Sequence, residues 1–411
     1  MRIYFNMELR DYQRDIAHRA AEKLQQLRIV YISAEVRTGK TLMALETAKL
    51  IGAKNVLFLT KKKAISSIQS DYSQSGYTYN LTVINNESIH LINGRFDLII
   101  SDEHHRNGAY PKPNKSTKII RDKFAHLPMI FLSGTPHPES YSQIYHQFWV
   151  SNYSPFSQYS NFYKWARDFV DIKEKYLGYA KVNDYTTCHM DKLKPYIDRY
   201  FITFTQRDAG FETEVKEQIL WCDMKPETYD IILQLKSDKV VMHVDEVILA
   251  DTGVKEMTKI HQLCSGTIKY ESGKSAVIDC SKADFIKAKF PEKIGIFYKF
   301  KEEYNMLKDV FGDSLTDDID EFNATDKNIA LQIVSGREGI SLRNAKYLIY
   351  LNIDFSAVSY WQSRDRMTTM ERQSNEVFYV FSKGGIERKI YQAVLNKKDF
   401  TLSVFKQTYN D

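Results

Sequence analysis

Short apolar runs alternate with amphipathic stretches in two separate parts of the chain, and this alternation limits the possible folds more than any other feature. In the first third, the runs are RIVYIS, NVLFLT, LTVI, FDLIIS and MIFLS, each bounded by polar residues. Helical patterns such as 41–51 and 64–74 lie between them. Buried strands separated by helices are typical of a parallel, doubly wound sheet. The first third therefore predicts an α/β lobe.

The same alternation returns near residue 294. The strand-like runs there are KIGIFYKF, NIALQIVSG, KYLIYLN and EVFYVFSKG, and a helix is expected from Ile386. The region between the two halves, 141–207, is dense in aromatic residues and lacks the strand–helix alternation. We expect it to be a mostly helical bridging region, in which the tyrosines and tryptophans of 141–165 form core rather than base-stacking surfaces. The second half predicts another α/β lobe.

The composition permits a protein of this size and class. A chain of 411 residues with 43% hydrophobic residues exceeds one ordinary domain and can fill two cores. Its net charge of +5 permits a polyanionic partner without requiring one. The N-terminus lacks a signal-peptide core, no segment approaches the length of a membrane span, and the four cysteines lack C-x-x-C spacing. We therefore expect a soluble cytoplasmic protein with reduced thiols and no membrane partner.

The segment YISAEVRTGKTLMAL reads as a strand, a turn and the start of a helix. Such a turn directs backbone N–H groups and the helix dipole at one point, which suits a phosphate. Thr38 and Gly39 would bind the nucleotide phosphates, Lys40 could reach the β- and γ-phosphates, and the Thr41 hydroxyl could ligate Mg²⁺. Ala34 stands where the usual pattern G-x-x-x-x-G-K-[ST] has its first glycine. A chance G-K-T connection is therefore the alternative interpretation.

The run FDLIISDEHHR places Asp102 and Glu103 at the end of a predicted strand. One carboxylate there can hold hydrated Mg²⁺, and its neighbour can orient or deprotonate an attacking water. A solvated acidic turn is the alternative, but it is less expected beside a G-K-T loop at the same sheet edge. We assign to His104 the coupling of nucleotide state to other motifs. The turn in IFLSGTPHP, 133–136, suits sensing of that state.

Taken together, the G-K-T loop, D-E-x-H, S-G-T-P and the second α/β half resemble the superfamily 2 helicases and translocases. The resemblance is nearest to the SWI/SNF-type DNA-dependent ATPases, in a minimal, phage-like form. Segments that resemble this subgroup are YHQFWVSNYSPFSQYSNFYKW, LKPYIDRYFITFTQRDAGF and ILWCDMKPETYDIILQL. The resemblance implies two RecA-like doubly wound parallel-sheet lobes with a helical, aromatic-rich bridging segment.

This resemblance also implies a domain division. Residues 1–148 would form the first RecA-like lobe with the ATP-binding motifs, 149–280 the bridging segment, and 281–411 the second RecA-like lobe. ATP and Mg²⁺ would bind in the cleft between the lobes.

Three further segments carry residues over from the family. LRDYQRD resembles its N-terminal glutamine element, in which Gln13 would read the adenine edge. TKKK resembles a strand-contacting motif, so Lys61, Lys62 and Lys63 are expected to contact nucleic acid. The alternative for this charge run is a solvated face. SGREGISL resembles the fifth motif, where Gly339 would lie near nucleotide and Ser341 near backbone phosphates.

YWQSRDRM resembles the sixth motif of the family. Gln362 and Arg366 lie four residues apart and would share one helix face, with Arg366 as an arginine finger. The position of the family's second arginine holds a threonine. Arg372 beyond it and Arg364 before it are the nearest candidates for that role.

The resemblance implies ATP hydrolysis coupled to movement on double-stranded DNA and to remodelling of DNA or protein–DNA structures. We expect a monomer, in the host cytoplasm if the chain is viral, with a nuclease or a replication or recombination protein as a partner. Three alternatives stay open. They are an RNA-directed helicase, the motor subunit of a restriction or nuclease assembly, and a non-hydrolysing nucleic-acid clamp.

Overall fold

The computed structural model describes residues 8–177, 180–210, 214–336, 341–367 and 374–396 of the chain. The chain divides into two compact units, Met1–Phe211 and Glu212–Asp411, which are called the first and the second lobe below. Across the described ranges, every helix is too short or too polar to cross a membrane.

The described part of the first lobe is an α/β unit built from alternating elements. Its helices and strands, in chain order, are α1 (Asp11–Leu27), β1 (Ile29–Ala34), α2 (Lys40–Leu50), β2 (Asn55–Thr60), α3 (Ile65–Gln74), β3 (Asn80–Asn85), β4 (Leu98–Ser101), α4 (Lys115–Phe124), β5 (Met129–Leu132), α5 (Gln143–Trp149), α6 (Phe162–Phe169), β6 (Lys173–Leu177), β7 (Ala180–Asp184), α7 (Met190–Tyr200) and β8 (Phe201–Phe204).

A six-stranded sheet with the order β3-β2-β4-β5-β1-β8 organises the described residues of this lobe. All of its neighbouring strands are parallel. Successive side chains of a strand point to opposite faces, so neighbouring residues such as Tyr31 and Ile32 belong to different hydrophobic clusters. Because the strands are parallel, the segments that follow β1, β2, β4 and β5 all leave the sheet at one edge.

The aromatic region after β5 packs onto one face of this sheet. Trp165 is fully buried on α6, with its ring centroid 5.4 Å from that of Tyr145 and 5.2 Å from that of Phe169. Phe148 and Phe162 are buried in the same cluster. The prediction that the tyrosines and tryptophans form core is confirmed for Tyr145 and Trp165, whereas Tyr153 and Tyr163 are exposed.

The second lobe repeats the α/β design with two added hairpins. Its described helices and strands, in chain order, are β9 (Glu214–Cys222), α8 (Pro226–Asp238), β10 (Val240–His243), β11 (Glu246–Leu249), α9 (Gly253–Cys264), β12 (Thr267–Lys269), β13 (Ser275–Val277), α10 (Ser281–Lys289), β14 (Ile294–Tyr298), α11 (Lys301–Phe311), β15 (Leu315–Thr316), α12 (Ile319–Ala324), β16 (Asn328–Gln332), α13 (Ile333–Gly336), β17 (Tyr347–Tyr350), α14 (Ala357–Arg364), β18 (Ser374–Ser382) and α15 (Glu387–Leu395).

A second parallel sheet of six described strands has the order β15-β16-β14-β17-β18-β9. Hydrophobic clusters cover both of its faces, with Tyr350 in one cluster and Ile349 in the other. The predicted fold class, two RecA-like lobes with doubly wound parallel sheets, is confirmed. The hairpins β10–β11 and β12–β13 stand apart from this sheet.

The predicted bridging segment, 149–280, does not form a unit of its own. Its earlier part ends in β8, which pairs with β1 and so completes the first sheet. Its later part begins with β9, which pairs with β18 along its whole length. Backbone hydrogen bonding therefore assigns each part to a different lobe. The predicted boundaries at 148 and 281 differ from the division at 211 for this reason.

Replacing Trp165 by alanine should lower the free energy of unfolding of the first lobe by about 3–5 kcal/mol, because a large cavity would remain in the aromatic core. Tyr163→Ala on the same helix is the matched control, since that ring is 43% exposed, and its effect should stay within about 0.5 kcal/mol. Urea denaturation of the full chain, monitored by circular dichroism, measures the free energy of unfolding of both variants. Equal losses for the two variants would contradict the assignment of these rings to the core.

Candidate functional site

The loop between β1 and α2 has the geometry of an anion-binding turn. Gly39 precedes α2 with a φ of 85°, a backbone conformation that glycine adopts without steric cost. Thr38 is buried, and its hydroxyl donates to the Glu35 carbonyl at 2.8 Å. The first turn of α2, which includes Lys40 and Thr41, places its N–H groups and the positive end of the helix dipole at the functional edge of the sheet.

Gln13 lies directly against this loop. Its Nε2 donates to the Thr38 carbonyl at 3.1 Å, and its Oε1 accepts from the Arg10 backbone N–H at 3.0 Å. The Tyr12 hydroxyl donates to the same Thr38 carbonyl at 3.2 Å. A Cβ atom on Gly39 would lie 2.1 Å from Gln13 Nε2. The structure therefore brings the predicted glutamine element and the predicted loop together.

The side chain of Lys40 lies where the loop meets the S-G-T-P turn. Its Nζ donates to the Glu35 carbonyl at 3.1 Å. A Cβ atom built on Gly134 would lie 3.6 Å from this Nζ and 3.4 Å from the Ala34 carbonyl oxygen. Ala34 itself is fully buried as the last residue of β1. A small residue at position 34 is thus compatible with the close approach of the two turns.

Asp102 and Glu103 follow β4 at the same edge. The Thr60 hydroxyl, at the end of the neighbouring β2, donates to Asp102 Oδ2 at 2.9 Å. Glu103 has a φ of 48°, which is uncommon for a residue other than glycine and marks a backbone held by its surroundings. The predicted acidic pair is therefore built into the turn and is not a freely solvated end of the strand.

The surroundings shift the pKa values of Asp102 and Glu103 in opposite directions. Burial, and then the charge of Glu103, raise the pKa of Asp102 to about 6, while Lys40 opposes this shift. Burial also acts to raise the pKa of Glu103, but His105, Lys61 and Lys40 outweigh it and the pKa lies below its usual value. An ionised carboxylate suits water orientation, and a desolvated one gains most from a divalent cation. Lys40 is close enough to influence both groups.

His105 connects the acidic pair to the S-G-T-P turn. Its Nδ1 lies 3.3 Å from Glu103 Oε2 and 2.9 Å from Ser133 Oγ. Ser133 Oγ also accepts from the Thr135 backbone N–H at 3.0 Å. We expected His104 to couple the nucleotide state to other motifs, but the contact between the acidic pair and the S-G-T-P turn is made by His105. The D-E-x-H pattern contained the signal, since its histidine is the fourth residue.

His104 belongs to the core beneath the turn. Its Nδ1 lies 2.8 Å from Ser101 Oγ, and its Nε2 lies 2.9 Å from the Gln147 carbonyl oxygen. Its ring stacks on Phe131 with centroids 3.7 Å apart. Burial lowers the pKa of His104 to about 3, so the ring is neutral at physiological pH.

The end of β8 and the residues that follow it contact the loop from outside, and no sequence motif predicts these contacts. The Gln206 backbone N–H donates to Glu35 Oε2 at 2.7 Å, and Gln206 Nε2 donates to the Val36 carbonyl at 3.0 Å. Phe204 stacks on Tyr12 at 4.9 Å. The resemblance of the segment LKPYIDRYFITFTQRDAGF to the SWI/SNF-type ATPases was visible in the sequence, but its contact with the loop depends on β8 joining β1.

The predicted nucleic-acid contacts divide into two kinds. Lys61 is partly buried, and its charge helps to lower the pKa of Glu103. Lys62 and Lys63 are exposed on the short 3₁₀ helix that follows. Ser341 is exposed in the second lobe. Lys62, Lys63 and Ser341 are thus exposed, and Lys61 lies partly buried beside the acidic pair.

The sixth motif of the second lobe is held close to the fifth. Gln362 lies on α14 and is 3% exposed, and Arg366 lies in the 3₁₀ turn Asp365–Met367 and is 8% exposed. The Leu342 backbone N–H donates to the Arg366 carbonyl at 2.9 Å. The prediction that Gln362 and Arg366 share one continuous helix differs from the structure, because α14 ends before Arg366. Gly339 and Arg372 lie outside the described residues.

Residues 6–74 match the sequence model of a family described as "Type III restriction enzyme, res subunit", a superfamily 2 helicase-type domain. This range contains the glutamine element, the G-K-T loop and the lysine run, and the resemblance to superfamily 2 drawn from the motifs is confirmed there. No curated protein sequence matches the chain significantly.

Two similar solved structures come from Sulfolobus solfataricus. The SWI2/SNF2 ATPase core in complex with dsDNA is 15% identical with a TM-score of 0.40, covering 99% of this chain and 94% of that chain. The SWI2/SNF2 ATPase core domain is 14% identical with a TM-score of 0.43, covering 99% and 91%. At these values the likeness does not extend to activity.

Substitution of the two histidines should separate their roles. His105→Ala should lower the rate of nucleotide hydrolysis about tenfold or more without a matching loss of nucleotide affinity, because it cuts the link between Glu103 and Ser133. His104→Ala should chiefly lower the free energy of unfolding of the first lobe, by about 2–4 kcal/mol, since it empties a buried site. Steady-state kinetics and urea denaturation of both variants test this. The reverse pattern would show that the coupling role belongs to His104.

Proposed function

We propose that this chain hydrolyses ATP with Mg²⁺ and uses the energy to move along double-stranded DNA. The observation that carries the proposal is the gathering of Lys40, Asp102 and Glu103 at the ligand-binding edge of one parallel sheet. Lys40 follows a turn suited to phosphate, and its charge acts on the pKa of both carboxylates. Ligands of such sheets bind at the carboxyl ends of the strands.

The residues of the first lobe fit ATP and Mg²⁺. The positive φ of Gly39 and the helix start behind it suit the phosphates, which Thr38, Gly39 and Lys40 would hold. Asp102, whose pKa burial raises to about 6 and which is therefore mostly ionised near neutral pH, would hold Mg²⁺ together with Thr41. When bound, Mg²⁺ supplies positive charge to the transferring phosphoryl group.

Two further parts of the reaction are assigned to other residues. Glu103 would orient the attacking water, which agrees with its lowered pKa. Gln13, already hydrogen-bonded to the loop, would read the adenine. In the second lobe, Gln362 and Arg366 would act on the phosphates, Arg366 as an arginine finger. Gly339 and Arg372 keep their predicted roles.

The choice of double-stranded DNA as the track rests on the resemblance of the motifs to the SWI/SNF-type ATPases. Lys62 and Lys63 would contact backbone phosphates, and Ser341 would do so from the second lobe. Contacts of this kind position a protein on nucleic acid without reading its sequence. A second candidate function, the motor subunit of a restriction or nuclease assembly, is favoured by the family matched over residues 6–74.

The proposal is tested by measuring ATP hydrolysis by the purified chain without nucleic acid, and then with duplex DNA, with single-stranded DNA or with RNA. We expect duplex DNA to stimulate hydrolysis most, with an effect that falls as salt is raised. Stronger stimulation by RNA would indicate that RNA, and not DNA, is the track. Nucleotide binding without hydrolysis under every condition would favour the non-hydrolysing clamp.

Two variants show that the measured hydrolysis belongs to this site. Lys40→Ala and Glu103→Gln should each nearly abolish it, the first by removing a phosphate contact and the second by stalling the water step. ATP affinity should therefore fall in Lys40→Ala and persist in Glu103→Gln. A Glu103→Gln protein that turns over at nearly the parental rate would refute the assignment of Glu103.

A further inference from the structure

Glu217 lies on β9, the edge strand of the second sheet, and receives hydroxyl groups from three other elements. Tyr379 of β18 donates to its Oε1 at 2.8 Å. Tyr360 of α14 lies 2.8 Å and 2.9 Å from the two carboxylate oxygens, and Tyr391 of α15 donates to Oε2 at 3.2 Å. Arg364 of α14 adds a guanidinium nitrogen 3.8 Å from Oε2. One carboxylate thus joins β9 to three neighbouring elements.

The hydroxyl groups of Tyr360 and Tyr391 stay protonated, which favours their hydrogen bonds to Glu217. Burial first, and Glu217 next, raise the pKa of Tyr360 well above its usual value, and the same two causes raise the pKa of Tyr391 to about 12. Both hydroxyls therefore keep their protons at physiological pH and can donate. The Glu217 side chain is 15% exposed, so these bonds are largely shielded from water. Hydrogen bonds to a carboxylate are stronger than those between neutral groups.

The contacts with α14 fix the rotation of that helix. Tyr360 and Arg364 are four residues apart and lie on one face, which is the face turned to Glu217. Gln362 lies between them in sequence and therefore points away from that face. Arg366 follows in the next turn, with its backbone bonded to Leu342. A change in the contact with Glu217 would turn or shift the segment that carries both Gln362 and Arg366.

We propose that Glu217 is a positioning residue for ATP hydrolysis, which holds α14 so that Gln362 and Arg366 stand where the reaction needs them. The inference rests on the proposed function, because it gives Glu217, which lies outside the motifs, the role of fixing the geometry of the sixth motif. An arginine finger acts through its position, and a displacement of about 1 Å can cost about 100-fold in rate. Glu217 itself would not touch ATP.

Glu217→Gln is the first test, because the amide keeps the volume, removes the charge and replaces one acceptor oxygen by a donor. We expect kcat for ATP hydrolysis in the presence of duplex DNA to fall about 10- to 100-fold, with ATP affinity unchanged. Glu214→Gln is the matched control on the same strand. Its carboxylate is 71% exposed and lies 3.7 Å from Lys216, so kcat should stay at the parental value.

Two hydroxyl variants show whether the effect passes through α14. Tyr360→Phe removes the bond from α14 and should lower kcat nearly as much as Glu217→Gln, and the double variant should be little worse than either. Tyr391→Phe removes a bond from α15 only and should have a smaller effect. These variants also keep the inference testable if Glu217→Gln fails to fold.

The outcomes separate this inference from the proposed function. A parental chain that does not hydrolyse ATP refutes the proposed function, and the inference falls with it. An active parental chain whose Glu217→Gln and Tyr360→Phe variants keep their kcat refutes the inference alone. Lower thermal stability of these variants with an unchanged kcat would show that Glu217 only stabilises the fold.

Discussion

The parallel pairing of the strands is the constraint on which both lobes depend. A parallel neighbour requires a crossover, so every strand of a sheet delivers its carboxyl end to the same edge. In the first lobe this brings together the G-K-T loop after β1, the acidic turn after β4 and the S-G-T-P turn after β5. These segments are separated by tens of residues in the chain. The approach of Lys40 to Gly134 is a direct result of the pairing.

The candidate site is held by contacts from several separate segments of the first lobe. Gln13 bonds to the loop from the start of α1, and Gln206 bonds to it from beyond β8. His104 fills the core beneath the acidic turn, so that His105 can lie between Glu103 and Ser133. Burial of Gln13 and His104 costs little, because the polar atoms of both side chains have hydrogen-bond partners. The geometry of a few reactive groups thus depends on a larger polar scaffold.

Local pattern predicted much of the fold. The apolar runs became strands, and the helices expected at 41–51 and 64–74 are α2 and α3, each within about one residue. The loop and the acidic pair could be found because short motifs carry their own spacing. The contacts between distant segments could not be found in this way. The assignment of β8 and β9 to different sheets depends on partners more than 150 residues away in the chain.

The same limit applies to individual residues. His104 and His105 are adjacent, and only the course of the backbone after Glu103 decides which of them faces Ser133. Glu217 occurs in an alternating strand, where a charged residue would ordinarily be read as facing solvent. Its three hydroxyl partners come from residues 360 to 391, and no spacing rule connects them. The order of the strands in the sheet had to be known first.

The pairing of β9 with β18 has a consequence for how the second lobe folds. β9 opens the lobe, yet its neighbour in the sheet is the last strand of the described chain, and the bond from Tyr391 to Glu217 spans 174 residues. Contacts of such long sequence separation form late, after the intervening chain has been ordered. During synthesis, β9 leaves the ribosome long before its partner exists. The first strand of the second lobe therefore waits for β18 before it can join the sheet. The sheet is completed only when nearly all of the chain of this lobe has been made.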